Sequence, residues 1–215
     1  PDTIFYTHSH GDHHHPASAL RAGVKRVYLG QTWYDIAKGD FQRAAKELEL
    51  PMPEIIPVYV GQKVSVGDIA ITPLPASHAT GYSFEQTLMY LVEKQGVRLI
   101  YATDTGGIPA VAARLAGIDA HERPGNPITA LIMEATMGIG HDDDFRSFTH
   151  TSVAGVERIV RILEKTKRYT PAANQPVYLT HMARTLHGTQ AELDATLPRP
   201  LRAARDGEEV IFKVK

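Results

Sequence analysis

Three imidazoles and a carboxylate fall within six consecutive residues, His8-Ser9-His10-Gly11-Asp12-His13, directly behind the apolar run Ile4-Phe5-Tyr6. Imidazole nitrogens and carboxylate oxygens are the donors that divalent metal ions take from proteins. On an extended chain His8 and His10 face the same side and can chelate one ion, while a turn at Gly11 aims Asp12 and His13 at a second position. The competing reading is a solvated His-rich tract or a tag remnant, but a tag has no reason to set an Asp at this spacing behind a strand.

Three further candidates lie downstream, each at the C-terminal edge of an apolar run. His78 follows Ile71 to Ser77, Asp104 follows Arg98 to Thr103, and His181 follows Val177 to Thr180. Singly, such a His is more often a structural residue, and Asp104 alone would serve as a turn former before Thr105-Gly106-Gly107. Together they are placed as a sheet protein places ligands that it gathers from distant parts of the chain into one cleft. The chain has no Cys, so its donors are nitrogen and oxygen only. That set suits Zn²⁺ and also admits Mn²⁺ or Fe.

The pattern His-x-His-x-Asp-His behind an apolar strand, followed in order by His78, Asp104 and His181, resembles the metallo-β-lactamase superfamily. The resemblance implies an α/β chain folded as an αββα sandwich, with two mixed sheets back to back, helices outside and metals at one edge. It implies two divalent ions, one held by His8, His10 and His78, the other by Asp12, His13 and His181, with Asp104 bridging both. A bridging role suits a carboxylate with two oxygens, whereas the Cys found at the comparable place in some β-lactamases would serve one ion. Such a pair lowers the pKa of a bound water toward ~7. Asp12, a ligand with a spare oxygen, is implied as the residue that orients that water or takes its proton.

Within the superfamily, Thr103 to Pro109 and His78-Ala79-Thr80-Gly81-Tyr82 resemble phosphoribosyl cyclic-phosphate phosphodiesterases. His150, in Phe148-Thr149-His150-Thr151-Ser152, is similar to the His-Ser/Thr element that follows a Glu-Ala-Thr segment in the phosphodiesterase branches, and Glu134-Ala135-Thr136 stands upstream. The resemblance implies that His150 protonates the leaving alkoxide of a small nucleotide-like or cyclic phosphodiester. The plainer reading is that Thr149 or Thr151 caps a helix beginning near Val153, with His150 exposed beside it. Ser83-Phe84-Glu85-Gln86 and the stretch around Asp119 to Glu122 depart from the family pattern and put the natural substrate in doubt.

Other readings share the metal ligands. A tRNA 3′-end processing endonuclease would need a flexible basic arm, which the sequence lacks. A β-lactamase or thioester hydrolase would attack a carbonyl without needing His150, and a lactone hydrolase of the same fold is a further alternative; Asp104 argues against a β-lactamase but not against a thioesterase. A non-catalytic binding module would be expected to have lost ligands. Of the remaining histidines, His14 and His15 are expected to face solvent or to support a ligand by hydrogen bonding. His141 with Asp142-Asp143-Asp144 reads as a mobile acidic loop at the cleft rim rather than another metal site. His187 either touches substrate or closes a helix near Gly188, and His121 lies in a polar, exposed stretch.

The 215 residues, 43% hydrophobic and 22% charged, fit one globular domain spanning residues 1–215. A net charge of −1 supplies no global basic field, so a small-molecule substrate is favoured over nucleic acid. No apolar stretch is long enough to span a membrane; the absence of Cys excludes disulfides, and a cytoplasmic location is the working expectation. Pro1 stands seven residues before His8, where the superfamily usually has several opening strands. N-terminal strands are therefore expected to be missing, leaving a sheet edge on which a homodimer could form.

Helical spacing predicts helices at Ala17 to Ala22, Tyr34 to Leu50, Ile108 to Leu115, Val153 to Lys165 and Thr189 to Leu197. Strands are expected at Val58 to Val60, Lys63 to Val66, Ile69 to Pro73 and Glu209 to Val214. A hairpin is expected from Thr87 to Glu93 and Val97 to Ala102, turning at Lys94-Gln95-Gly96.

Overall fold

Strand β1 (Thr3–Phe5) of the computed structural model pairs in parallel with β2 (Arg26–Gly30), which pairs in parallel with β3 (Glu54–Val58). The structure describes residues 1–119 and 126–213. Their contacts divide the chain into two units, Pro1–Gln62 with Ala79–Leu88, and Lys63–His78 with Met89–Lys215.

Parallel neighbours need crossovers, and the first unit supplies them as α1 (Pro16–Arg21) and α2 (Tyr34–Leu48). Pro16 opens α1 where a missing N–H costs nothing, and His15 Nδ1 accepts from the Ser18 amide at 3.2 Å as the cap. Ala37, Phe41 and Ala45 lie four residues apart on α2, so one stripe of the helix is buried with Val27, Leu29 and Trp33. Glu49 closes α2 in the left-handed conformation, with Pro51 beyond. The strand expected at Val58 to Val60 is instead Glu54–Val58, which leaves Tyr59 and Val60 outside it and contains Pro57, opposite Leu29. The sheet order β1-β2-β3 explains this, because a proline's lost donor is tolerated on an edge strand.

The second unit is built on a seven-stranded sheet ordered β10-β9-β8-β7-β6-β5-β4. β4 (Val64–Val66) and β5 (Ile69–Pro75) form one antiparallel pair, β6 (Leu88–Lys94) and β7 (Val97–Ala102) another. Gln95 and Gly96, both at positive φ, make the two-residue turn between β6 and β7, whose backbone twist matches the strands. From β7 onward the neighbours run parallel: β8 (Ala130–Glu134), β9 (Val177–Thr180) and β10 (Leu201–Ala203). Parallel strands bring their carboxyl ends side by side, so the residues after β7, β8 and β9 emerge at one edge.

Helices α3 (Ala110–Leu115), α4 (Val153–Lys165) and α5 (Gln190–Thr196) belong to this unit. α4 buries Val153, Val156, Val160 and Leu163 in a core shared with Leu131, Met133, Val177 and Leu179; fully burying one such side chain contributes about 1.5–3 kcal/mol. Its cap is Ser152, whose Oγ accepts from the Gly155 amide at 3.0 Å, not Thr149 or Thr151. No strand forms over Glu209 to Lys213; the last strand among the described residues is β10, and Val214 lies outside them. Alternation alone placed the C-terminal strand, but the partner available beside β9 is Leu201–Ala203. His121, expected to be exposed, and Ala120 and Glu122 of the departing stretch also lie outside the described residues.

Candidate metal centre

In the first unit the ligand loop leaves β1 and folds on itself, the His13 and His14 amides both donating to the His10 carbonyl, at 2.9 and 2.8 Å. His8 is buried. Its Nδ1 lies 3.0 Å from Thr7 Oγ1 and its Nε2 3.1 Å from His10 Nδ1, so the two rings aim one nitrogen each at a common point. Asp12 Oδ2 and His13 Nε2 stand 3.5 Å apart as a second pair, and the His13 ring packs 4.3 Å from that of His8. Gly11 is not at positive φ, and a Cβ there would meet nothing within 4 Å. The turn therefore makes no use of the glycine.

Glu85 holds this loop in place. It accepts from the Ser9 amide at 2.8 Å, from Ser9 Oγ, and from Thr80 Oγ1 at 2.7 Å, which fixes the residue between His8 and His10. Glu85 belongs to the segment that departs from the family pattern, and nothing in its own neighbourhood of the sequence signals the role. His14 is neither solvated nor a support for a ligand ring. It is buried edge-on against Tyr6 and Trp33, at 5.0 and 4.9 Å, and burial lowers its pKa against the pull of Asp40. His15 is spent on the α1 cap.

In the second unit the strand ends deliver Asp104, Glu134 and His181 to one place. Asp104 and His181 both sit at φ near +50°, at 51° and 50°, a conformation that non-glycine residues rarely take and that clusters at functional sites. His78 Nε2 lies 3.5 Å from Asp104 Oδ2, and His181 Nε2 3.2 Å from Asp104 Oδ1. His78 Nδ1 donates to the Thr149 carbonyl at 3.0 Å, because a carbonyl can only accept. Thr136 Oγ1 gives its one hydrogen to Glu134 Oε2 at 2.6 Å and so accepts from His181 Nδ1 at 2.9 Å. With both Nδ1 protons committed, the two Nε2 lone pairs face carboxylate oxygens. A cation relieves that opposition, so the donor set fits a divalent metal.

His150 joins this group, since Asp104, His150 and His181 offer ligand-type atoms within 4.8 Å of one another. The His150 and His181 rings stack at 5.7 Å, while His150 Nδ1 sits 3.1 and 3.2 Å from the two oxygens of fully buried Glu134. Glu134 also accepts from the Thr105 amide and from the Thr136 amide and hydroxyl. Burial lowers the His150 pKa, but the hydrogen bond and charge of Glu134, with that of Asp104, outweigh it, and the net shift is upward. His150 is thus half-buried and oriented, not an exposed neighbour of a cap.

His187 is used differently. Its Nε2 donates to the Ala135 carbonyl at 2.6 Å, tying down the loop after β8, and it is not among the His and Asp side chains gathered about Asp104. The acidic stretch is also tied: Asp142 accepts from Ser152 Oγ, and Asp144 accepts from Nε and from Nη2 of Arg146, at 2.8 and 2.6 Å. His141 is exposed. Glu134 and Thr136 are the functional residues that motif reading left without a role. Both stood in the Glu134-Ala135-Thr136 segment, and Glu134 carried the further signal of a carboxylate that ends the apolar run Ala130 to Met133.

Comparison with known proteins gives the following. The model of the beta-lactamase superfamily domain matches residues 1–182. YhfI, a metallo-beta-lactamase fold protein from Bacillus subtilis, superposes with a TM-score of 0.63 at 17% identity, over 96% of this chain and 76% of that one. The short form of human tRNase Z gives 0.64 at 13% identity, over 99% and 80%. Zn(2+)-bound PqqB from Methylobacterium extorquens gives 0.64 at 14%, over 96% and 71%. At these identities the likeness is one of fold. No curated protein matches by sequence.

Proposed function

Because the chain belongs to the beta-lactamase superfamily and has its metallo-hydrolase fold, we propose that it is a two-metal hydrolase of a small phosphodiester. The oriented pair of Glu134 and His150 beside Asp104 and His181 is the observation that carries this reading. A thioester expels a thiolate, which departs without a proton, whereas an alkyl phosphodiester expels an alkoxide that calls for a dedicated proton donor.

The ligand assignment is that of the motif: His8, His10 and His78 for one ion, Asp12, His13 and His181 for the other, and Asp104 for both. Zn²⁺ fits these donors, as do Mn²⁺ and Fe. When bound, the ions supply Lewis acidity and a hydroxide nucleophile near neutral pH. Thr149 and Thr136 hold the His78 and His181 rings by Nδ1, so that Nε2 of each would be the atom offered to a metal. Glu85 fixes the spacing of His8 and His10. His150 in its protonated form keeps Nδ1–H on Glu134 and gives its Nε2 proton to the leaving oxygen, ending as a neutral imidazole. Asp12, exposed and next to His13, orients the attacking water or takes its proton. A tRNA or other nucleic acid substrate is disfavoured by the net charge of −1.

The test is a comparison of purified, metal-loaded protein on bis(p-nitrophenyl) phosphate, an acyl thioester and a β-lactam. Preferential cleavage of the phosphodiester is expected. Preference for the thioester would replace the reading with a carbonyl hydrolase of the same fold.

A further inference from the structure

The two most exposed large apolar side chains among the described residues are Phe145 and Phe148, at 83% and 81%. They are the first and last residues of a single 3₁₀ turn, Phe145–Phe148, that ends two residues before His150. Residues three apart in a 3₁₀ helix lie on the same side, separated by a rise of about 6 Å, so the turn presents both rings on one face.

The backbone beneath them is held firmly. Asp144 caps the turn by accepting from the Arg146 amide at 2.9 Å, and the Thr149 and His150 amides both donate to the Arg146 carbonyl at 2.8 Å. The Phe148 carbonyl accepts from Ser77 Oγ at 3.0 Å and lies so near Gly106 that a Cβ there would stand 2.5 Å from it. The Thr149 carbonyl next accepts a hydrogen bond from His78 Nδ1. The same turn that presents the rings therefore fixes His78 and His150. The Arg146 guanidinium, paired with the Asp144 carboxylate, lies 5.7 Å from the centre of the Phe145 ring.

We propose that this turn is a stacking platform for the base of a nucleotide substrate, so that the phosphodiester cleaved at the centre carries a flat aromatic ring. This rests on the phosphodiesterase reading and narrows its substrate class. An aromatic ring on a fixed backbone binds a base with little ordering cost, and stacking tolerates any base because each has a π-face.

Calorimetric titration of the metal-loaded protein with thymidine 5′-monophosphate and with methyl phosphate reads the platform without turnover. The nucleotide is expected to bind more tightly, and Phe148→Leu, which keeps apolar bulk but removes the ring, should cut that preference by about five- to hundredfold. Phe145→Leu should act in the same direction. Equal affinity for the two ligands in the wild type, or a preference unchanged in both variants, would overturn the proposal. So would an unchanged preference accompanied by lost sedimentation with phosphatidylcholine vesicles, which would assign the rings to a lipid surface. Hydrolysis of methyl p-nitrophenyl phosphate, followed separately, reports on the phosphodiesterase reading itself, so the two failures are distinguishable.

Discussion

Glu134 has no exposed surface, yet four donors reach it: the Thr105 and Thr136 amides, the Thr136 hydroxyl and His150 Nδ1. Such an acceptor orients His150 and stabilises its charged form without meeting substrate. Glu134→Gln should lower kcat on an alkyl phosphodiester about 10–100-fold while KM and metal content stay near wild type, and Glu134→Asp should recover part of the loss. A rise in KM or a loss of metal instead would mean that Glu134 supports the fold of the site. Gly106 is a second residue whose role is steric. Gly106→Ala sets a Cβ against the Phe148 carbonyl and should cost about 1–3 kcal/mol, whereas Gly11→Ala, into open space, should stay within about 0.5 kcal/mol. Equal melting temperatures for the two variants would contradict this. The candidate ligands His8, His10, Asp12 and His13 were legible because they are packed into six consecutive residues, and Glu134 was half-legible as a charge ending an apolar run. Glu85 was not, since its partner Ser9 is 76 residues away and only folding brings them together.

Elements with strong periodicity were read correctly: α4 and β9 have the expected bounds, and the β6–β7 hairpin turns where its glycine stands. The strands β3 and β10 were the failures, because they owe their existence to the neighbour they pair with and carry little pattern of their own. The hairpin also carries a buried charge with a defined pH signature. Arg98, buried, donates to Glu93 at 2.9 Å and to the Ala116 carbonyl at 2.9 Å. Burial would raise the Glu93 pKa, but the Lys63 and Arg98 hydrogen bonds and charges outweigh it and hold the carboxyl below its usual value. A depressed carboxylate contributes stability that is present above its unfolded pKa and is lost as pH falls through the folded one. Glu93→Gln should therefore cost about 1–3 kcal/mol at pH 7, and the gap from wild type should close as pH falls below about 4. A gap independent of pH would refute the assignment. At the start of α4, Ser152→Ala should cost about 1 kcal/mol by thermal unfolding; no change would mean that the cap contributes nothing.

At the scale of the whole molecule the account requires two ions per chain. Reconstitution with excess Zn²⁺ or Mn²⁺ followed by metal analysis should find two, and Asp104→Ala should lose both or leave one loosely held. One ion or none in the wild type would count against the ligand assignment. No described helix is long and apolar enough to cross a membrane. The central claim, that His150 protonates the leaving group of a phosphodiester, is tested most directly by the leaving-group dependence of His150→Ala. Metal-loaded wild type and variant, shown to hold equal metal, are compared on a diester with an alkoxide leaving group and on bis(p-nitrophenyl) phosphate. A loss of about 10²–10⁴-fold is expected on the first and a much smaller one on the second, because p-nitrophenolate departs without a proton. Equal losses on both, or none on either, would contradict it.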